Sequence, residues 1–110
     1  MNKNTQLIHE KNLRLAKMIL LSEGELLASL MEMQTKRLFV ELECKGIYSY
    51  CLKHLNFSES QAFYYQKVAT ASRVVPELKE AVVKGELSIS KARRITAVIT
   101  PESKALDRER

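Results

Sequence analysis

The sequence predicts an all-α fold: a helical arm or hairpin followed by a helix-turn-helix-like bundle of short helices. Three observations carry this expectation. Leu, Ala, Glu and Lys are abundant while the 110 residues hold only 3 Gly, 2 Pro and no Trp, a composition that favours helix over sheet. Apolar residues recur at helical spacing in one segment after another, each marking one face of a 3.6-residue repeat. Ser22, Ser58 and Ser88 stand where such runs begin, as capping residues do.

Residues 1–45 read as an N-terminal helical arm. Asn4 or Thr5 is expected to cap a first helix running to about Leu20, with Leu7, Ile8, Leu15, Met18 and Ile19 on its apolar side. Ser22 then begins Ser-Glu-Gly-Glu, in which Glu25 stands three residues on and completes a capping-box pattern. Leu26, Leu27, Leu30, Met31, Met33, Leu38, Phe39 and Leu42 carry a second helix to about Leu42. Two amphipathic helices in succession are expected to pair as a hairpin or across a homodimer seam.

Residues 46–100 read as the helix-turn-helix-like module. After a turn at Cys44–Gly46, Ile47, Tyr50, Cys51 and Leu55 form one face of a two-turn helix, which Asn56-Phe57 breaks. Ser58 starts the next helix, with Gln61 as its partner in a second capping box. Ala62, Tyr65, Ala69 and Ser72 are expected to face the core and Ser60, Gln61, Tyr64 and Lys67 to face outward. Pro76 suits the first position of a short helix, where no N–H donor is required, and Leu78, Ala81 and Val82 give that helix its apolar side. Gly85 stops it. Ser88 caps a last helix whose apolar face runs through Ile89, Ala92, Ile95, Thr96 and Ile99, with Lys91, Arg93 and Arg94 on its other faces. Pro101 is expected to end that helix or begin another, with residues 101–110 a charged tail or the start of a further helix.

Charge and chemistry narrow the function. The net charge of +5 is unevenly spread: residues 1–21 hold four basic groups against one acidic, residues 22–45 three against five, and residues 46–100 eight against four. A basic module behind an acidic helix suits contact with nucleic acid. Cys44 and Cys51 occur in a chain whose Met18–Leu21 apolar run is too short for a secretory signal or a membrane span, so reduced thiols in the cytoplasm are expected. With His54 they would make a Cys-x6-Cys-x2-His set lacking a fourth ligand, so no metal or other cofactor is expected. No carboxylate cluster, nucleophile-base pair or Gly-rich phosphate loop occurs, and no catalytic residue is assigned.

Taken in order, Ser58-Glu59, Gln61-Ala62, Val75-Pro76 and Gly85-Glu86-Leu87-Ser88 resemble the helical N-terminal region of a bacterial HNH endonuclease family. That likeness extends from about Ser22 to Ile99. The same order, with Ser90-Lys91-Ala92-Arg93 after the Gly turn, is similar to the helix-turn-helix domain of ParB-type partition proteins. The resemblance implies a DNA-binding or DNA-positioning module, the targeting part of an HNH endonuclease-like protein. It brings no catalytic residue, because His9 and His54 lack the paired-histidine and asparagine context of the HNH motif. Where relatives often carry arginine in the capped helix, this chain has Phe63-Tyr64-Tyr65-Gln66, which moves weight to the later cluster. The resulting expectation is a module without chemistry of its own that binds double-stranded DNA through Ser60, Gln61, Tyr64, Lys67, Lys91, Arg93 and Arg94. The alternative is a helical adaptor that dimerises through its N-terminal helices.

Overall fold

A computed structural model describes residues 2–97. Among them are five α-helices and no strand: α1 (Lys3–Thr35), α2 (Ile47–Lys53), α3 (Glu59–Val74), α4 (Pro76–Val83) and α5 (Ile89–Thr96), with a 3₁₀ turn at Leu38–Leu42. The all-α expectation holds. The expected boundaries in the first 45 residues do not.

α1 is one unbroken helix of 33 residues, so the break at Ser22 and the hairpin are both absent. Its cap is Asn2, whose Oδ1 accepts from the Thr5 N–H at 2.8 Å, in place of Asn4 or Thr5. Ser22 and Glu25 are exposed positions within the helix. The reason lies at Gly24, which is buried against α4: a Cβ there would lie 2.5 Å from the Val82 carbonyl oxygen and 2.5 Å from Val83 Cα. The glycine is a close-packing residue, and its weak helix propensity is outweighed by the helix-helix contact it permits. Beyond Thr35 the chain turns because Arg37 adopts φ 56, and Glu43 does the same after the 3₁₀ turn. The second predicted helix therefore ends seven residues early, and Leu38 and Leu42 are exposed while Phe39 is buried.

The later helices follow the sequence closely. Ile47 and Cys51 of α2 are buried, and α2 ends at Lys53, two residues before the expected Leu55. Asn56, at φ 56, reverses the chain between α2 and α3, a conformation Asn tolerates better than most residues. Ser58 Oγ accepts from the Gln61 N–H, and Gln61 Oε1 accepts from the Ser58 N–H, each at 3.2 Å, which is the expected capping box. Ala62, Tyr65, Val68, Ala69 and Ser72 form the buried face of α3. Pro76 occupies the first turn of α4, Gly85 at φ 74 ends it, and Ser88 Oγ caps α5 by accepting from the Lys91 N–H at 3.1 Å. On α5 the buried residues are Ile89 and Ala92. Ile95 is 36% exposed, against expectation, because it lies about 120° round the helix from Ile89. Ile99, Pro101 and the tail lie outside the described residues.

One core joins these elements. Leu27 and Leu30 of α1 share it with Phe39, Ile47, Cys51, Val68, Leu78, Val82 and Ile89. Three tertiary hydrogen bonds, made by two side chains, fix α1 against helix ends. Lys17 Nζ donates to the carbonyl oxygens of Lys84 and Gly85 at 3.4 and 3.2 Å, placing a cation at the C-terminal end of α4. Glu23 Oε1 accepts from the Ile89 N–H at 2.9 Å, placing an anion at the N-terminal end of α5. The N-terminal part of α1 has no such partner, and Leu7, Ile8 and Leu13 are each more than half exposed.

Candidate nucleic-acid interface

The outward face of α3 is set by helical geometry. Ser60, Phe63, Tyr64 and Lys67, at i, i+3, i+4 and i+7, fall within an arc of about 100° opposite the buried Ala62 and Ala69. Gln61 lies about 100° from Ser60 towards the core side. Its Oε1 is held by Ser58, and its side chain lines a hollow against α1 with Tyr65, Leu15 and Ile19. Of the four α3 residues expected to meet DNA, three share one surface and Gln61 stands off it.

α5 crosses beside this face and delivers Arg93 to it. The Arg93 guanidinium sits 5.5 Å from the Phe63 ring centre and 5.5 Å from that of Tyr64. Lys67 Nζ approaches Phe63 from one turn along α3, also at 5.5 Å. Phe63 and Tyr64 are themselves neighbours, with ring centres 6.4 Å apart and planes inclined by 60°. A guanidinium stacked on aromatic faces keeps its N–H edge available while its own hydration is weak, so less ordering remains to be done when it meets a phosphate. Arg93, Phe63 and Tyr64 border an open hollow of about 480 Å³ together with Tyr48, Ser60 and Gln66, and Glu59 also lines it.

Lys91 and Arg94 occupy a different part of α5. They lie about 60° apart on its outer surface, with Arg94 about 100° and Lys91 about 160° round from Arg93. Both are exposed. The expected basic cluster is thus divided, Arg93 facing α3 and the other two facing solvent. Among the described residues the one ion pair shown is Lys36 with Glu32, at 2.7 Å on α1.

Phe63, Tyr48, Gln66 and Glu59 were not among the site residues read from the sequence. For Phe63 a signal existed: it falls three residues after Ser60 and four before Lys67, on the same helix face. Tyr48 comes from α2 and only packing brings it here. Tyr65, the neighbour of Tyr64, points inward against Phe57 at 5.8 Å, and burial raises its phenol pKa well above the ordinary value. Burial likewise pushes the Cys51 thiol up to about 11. Cys44 and Cys51 are buried and free, and no three His, Cys, Asp or Glu side chains among the described residues come together to hold a metal ion. No described helix is long and apolar enough to cross a membrane.

The molecule is therefore an all-α bundle that presents a cation-aromatic face built from α3 and α5. Family models, curated proteins and solved structures offer no match to this chain.

Proposed function

We propose that this chain is a double-stranded DNA-binding module, the targeting part of an HNH endonuclease-like protein, with no catalytic residue of its own. The observation that carries the reading is Arg93 held over both Phe63 and Tyr64, beside Ser60 and Lys67, on an exposed helix face. Phosphates would meet Arg93 and Lys67 here and Lys91 and Arg94 on the adjoining surface of α5. Ser60 and Tyr64 near the start of α3 would approach base edges in the major groove, where short polar side chains at a helix N-terminal turn act in helix-turn-helix proteins. Gln61 is assigned a capping role in place of a reading one. The setting is cytoplasmic, where Cys44 and Cys51 stay as thiols.

Binding of a fluorescent random duplex, titrated at increasing salt, tests this. Affinity should fall steeply with salt, and Arg93→Ala should flatten the slope of log K against log salt by about one unit. An affinity indifferent to salt rejects the reading. A second reading, a helical adaptor that self-associates through α1, is favoured by a separate observation: Leu7, Ile8, Leu15, Met18 and Ile19 are between 42% and 62% exposed.

A further inference from the structure

We infer that two copies of this chain pair antiparallel along the N-terminal halves of α1, with the two-fold axis beside Met18 and Ile19. The pairing presupposes the self-association reading above and is independent of DNA binding. Three features of α1 combine. First, Ile8, Leu15, Ile19 and Leu26 form a stripe along one side of the helix, flanked by Leu7 and Met18, and all but Leu26 are strongly exposed. Second, the stripe borders a groove of about 650 Å³ whose far wall is Gln61 and Tyr65 of α3, open beside Leu15, Met18, Ile19 and Leu26. The groove thus lies towards the C-terminal side of the exposed stretch, so one helix half lacks cover and the next half has a trough to offer.

Third, the helix is electrically divided. Residues 3–22 carry Lys3, Lys11, Arg14 and Lys17 against Glu10, whereas residues 23–35 carry Glu23, Glu25 and Glu32 and no cation. Lys11, Arg14 and Glu25 lie within about 60° of one another on the same edge of the stripe. In a parallel pair the edge holding Lys11, Arg14 and Glu25 would face the opposite edge of the partner at the same height, where Lys11 and Arg14 meet Asn12 and Ala16 and find no opposite charge. An antiparallel pair centred at Met18 and Ile19 sets Leu15 of each copy opposite Ser22 of the other, inside its groove, and Ile8 opposite Ser29, just beyond Leu26. It also brings Lys11 and Arg14 of each copy alongside Glu25 of the other. Like charges are separated and opposite charges matched at both ends, as helix pairs use flanking charges to set orientation.

The full chain, measured by light scattering coupled to size exclusion over a range of concentrations, should give twice the chain mass. E25K should weaken the dimer by about tenfold, since it turns two symmetry-related attractions into repulsions. The triple variant K11E/R14E/E25K should recover the wild-type dissociation constant. A monomer at every concentration, including one captured instead by anionic phosphatidylserine vesicles, overturns the pairing together with the self-association reading. A dimer indifferent to E25K, or one the triple variant fails to restore, leaves self-association standing and overturns the antiparallel register.

Discussion

Gly24→Ala is the sharpest probe of how this fold is held. In an isolated helix the substitution stabilises by about 1 kcal/mol, because alanine restricts the unfolded chain and shields the backbone. Here the added methyl would sit 2.5 Å from the Val82 carbonyl oxygen and 2.5 Å from Val83 Cα, with Val82 carbonyl carbon at 3.0 Å. These are backbone atoms of α4, so no rotamer change relieves the clash, and α1 and α4 must separate by about 1 Å to restore ordinary contact distances. A gap of that size forfeits about a quarter to a half of the dispersion energy of the facing atoms, and along this seam it loosens the fully buried Leu27 and Val82. The Lys17 bonds to Lys84 and Gly85 lengthen with it. Overpacking of this kind costs about 3 kcal/mol at its upper end, which after the helix-propensity gain leaves a net loss of about 2 kcal/mol. At about 4–8 °C per kcal/mol for a domain near this size, the midpoint followed by circular dichroism at 222 nm should fall by about 8–16 °C. An unchanged or raised midpoint would show that α1 and α4 do not approach at Gly24, and the long-helix architecture would fail with it.

Ser22→Ala should raise stability by a few tenths of a kcal/mol in urea unfolding, as removal of a serine from an exposed helix interior does; a loss of about 1 kcal/mol would instead mark Ser22 as a helix cap. Ser58→Ala removes an oxygen that accepts from the Gln61 N–H, and should cost about 1 kcal/mol by the same measurement. Glu59→Gln, at the edge of the Arg93 hollow, should tighten duplex binding about two- to fivefold by removing a charge that repels phosphate. The same change should lower stability slightly, since Glu59 is the acidic residue in the first turn of α3. The Cys51 thiol, raised by burial to about 11 in the folded protein, gives a pH dependence of definite sign. Below the unfolded value near 8.5 both states are protonated; above it the unfolded chain loses its proton first, so stability should decline through this alkaline window up to about pH 11. Cys51→Ala should flatten that part of the curve in urea titrations against pH.

The candidate site was legible where it depended on one helix and illegible where it depended on two. Ser60, Tyr64 and Lys67 share a face by spacing alone. Lys91, Arg93 and Arg94 looked like one cluster because they fall within four residues, yet Lys91 stands about 160° and Arg94 about 100° round the helix from Arg93, and only the contact with α3 selected Arg93. Gln61 carried two compatible readings in the sequence, cap and contact. The box with Ser58 occupies its carbonyl oxygen and turns it towards α1.

By itself the sequence determined the all-α class and most of the later helix boundaries, because a serine cap, a proline at the first position and a glycine stop each act through hydrogen bonds and dihedral limits a few residues long. It also determined the buried faces of α2 and α3, which follow from the period of the helix. Tertiary structure decided the fate of Ser22-Glu23-Gly24-Glu25. Locally that segment reads as the start of a new helix, yet the bare Cα of Gly24 lets α4 seat directly on α1, and burial of Leu27 and Leu30 in the shared core rewards a helix that runs straight through. Long-range packing overrode a local stop signal there because a helix break stakes about 1 kcal/mol on a cap, while each buried leucine is worth about 1.5–3 kcal/mol.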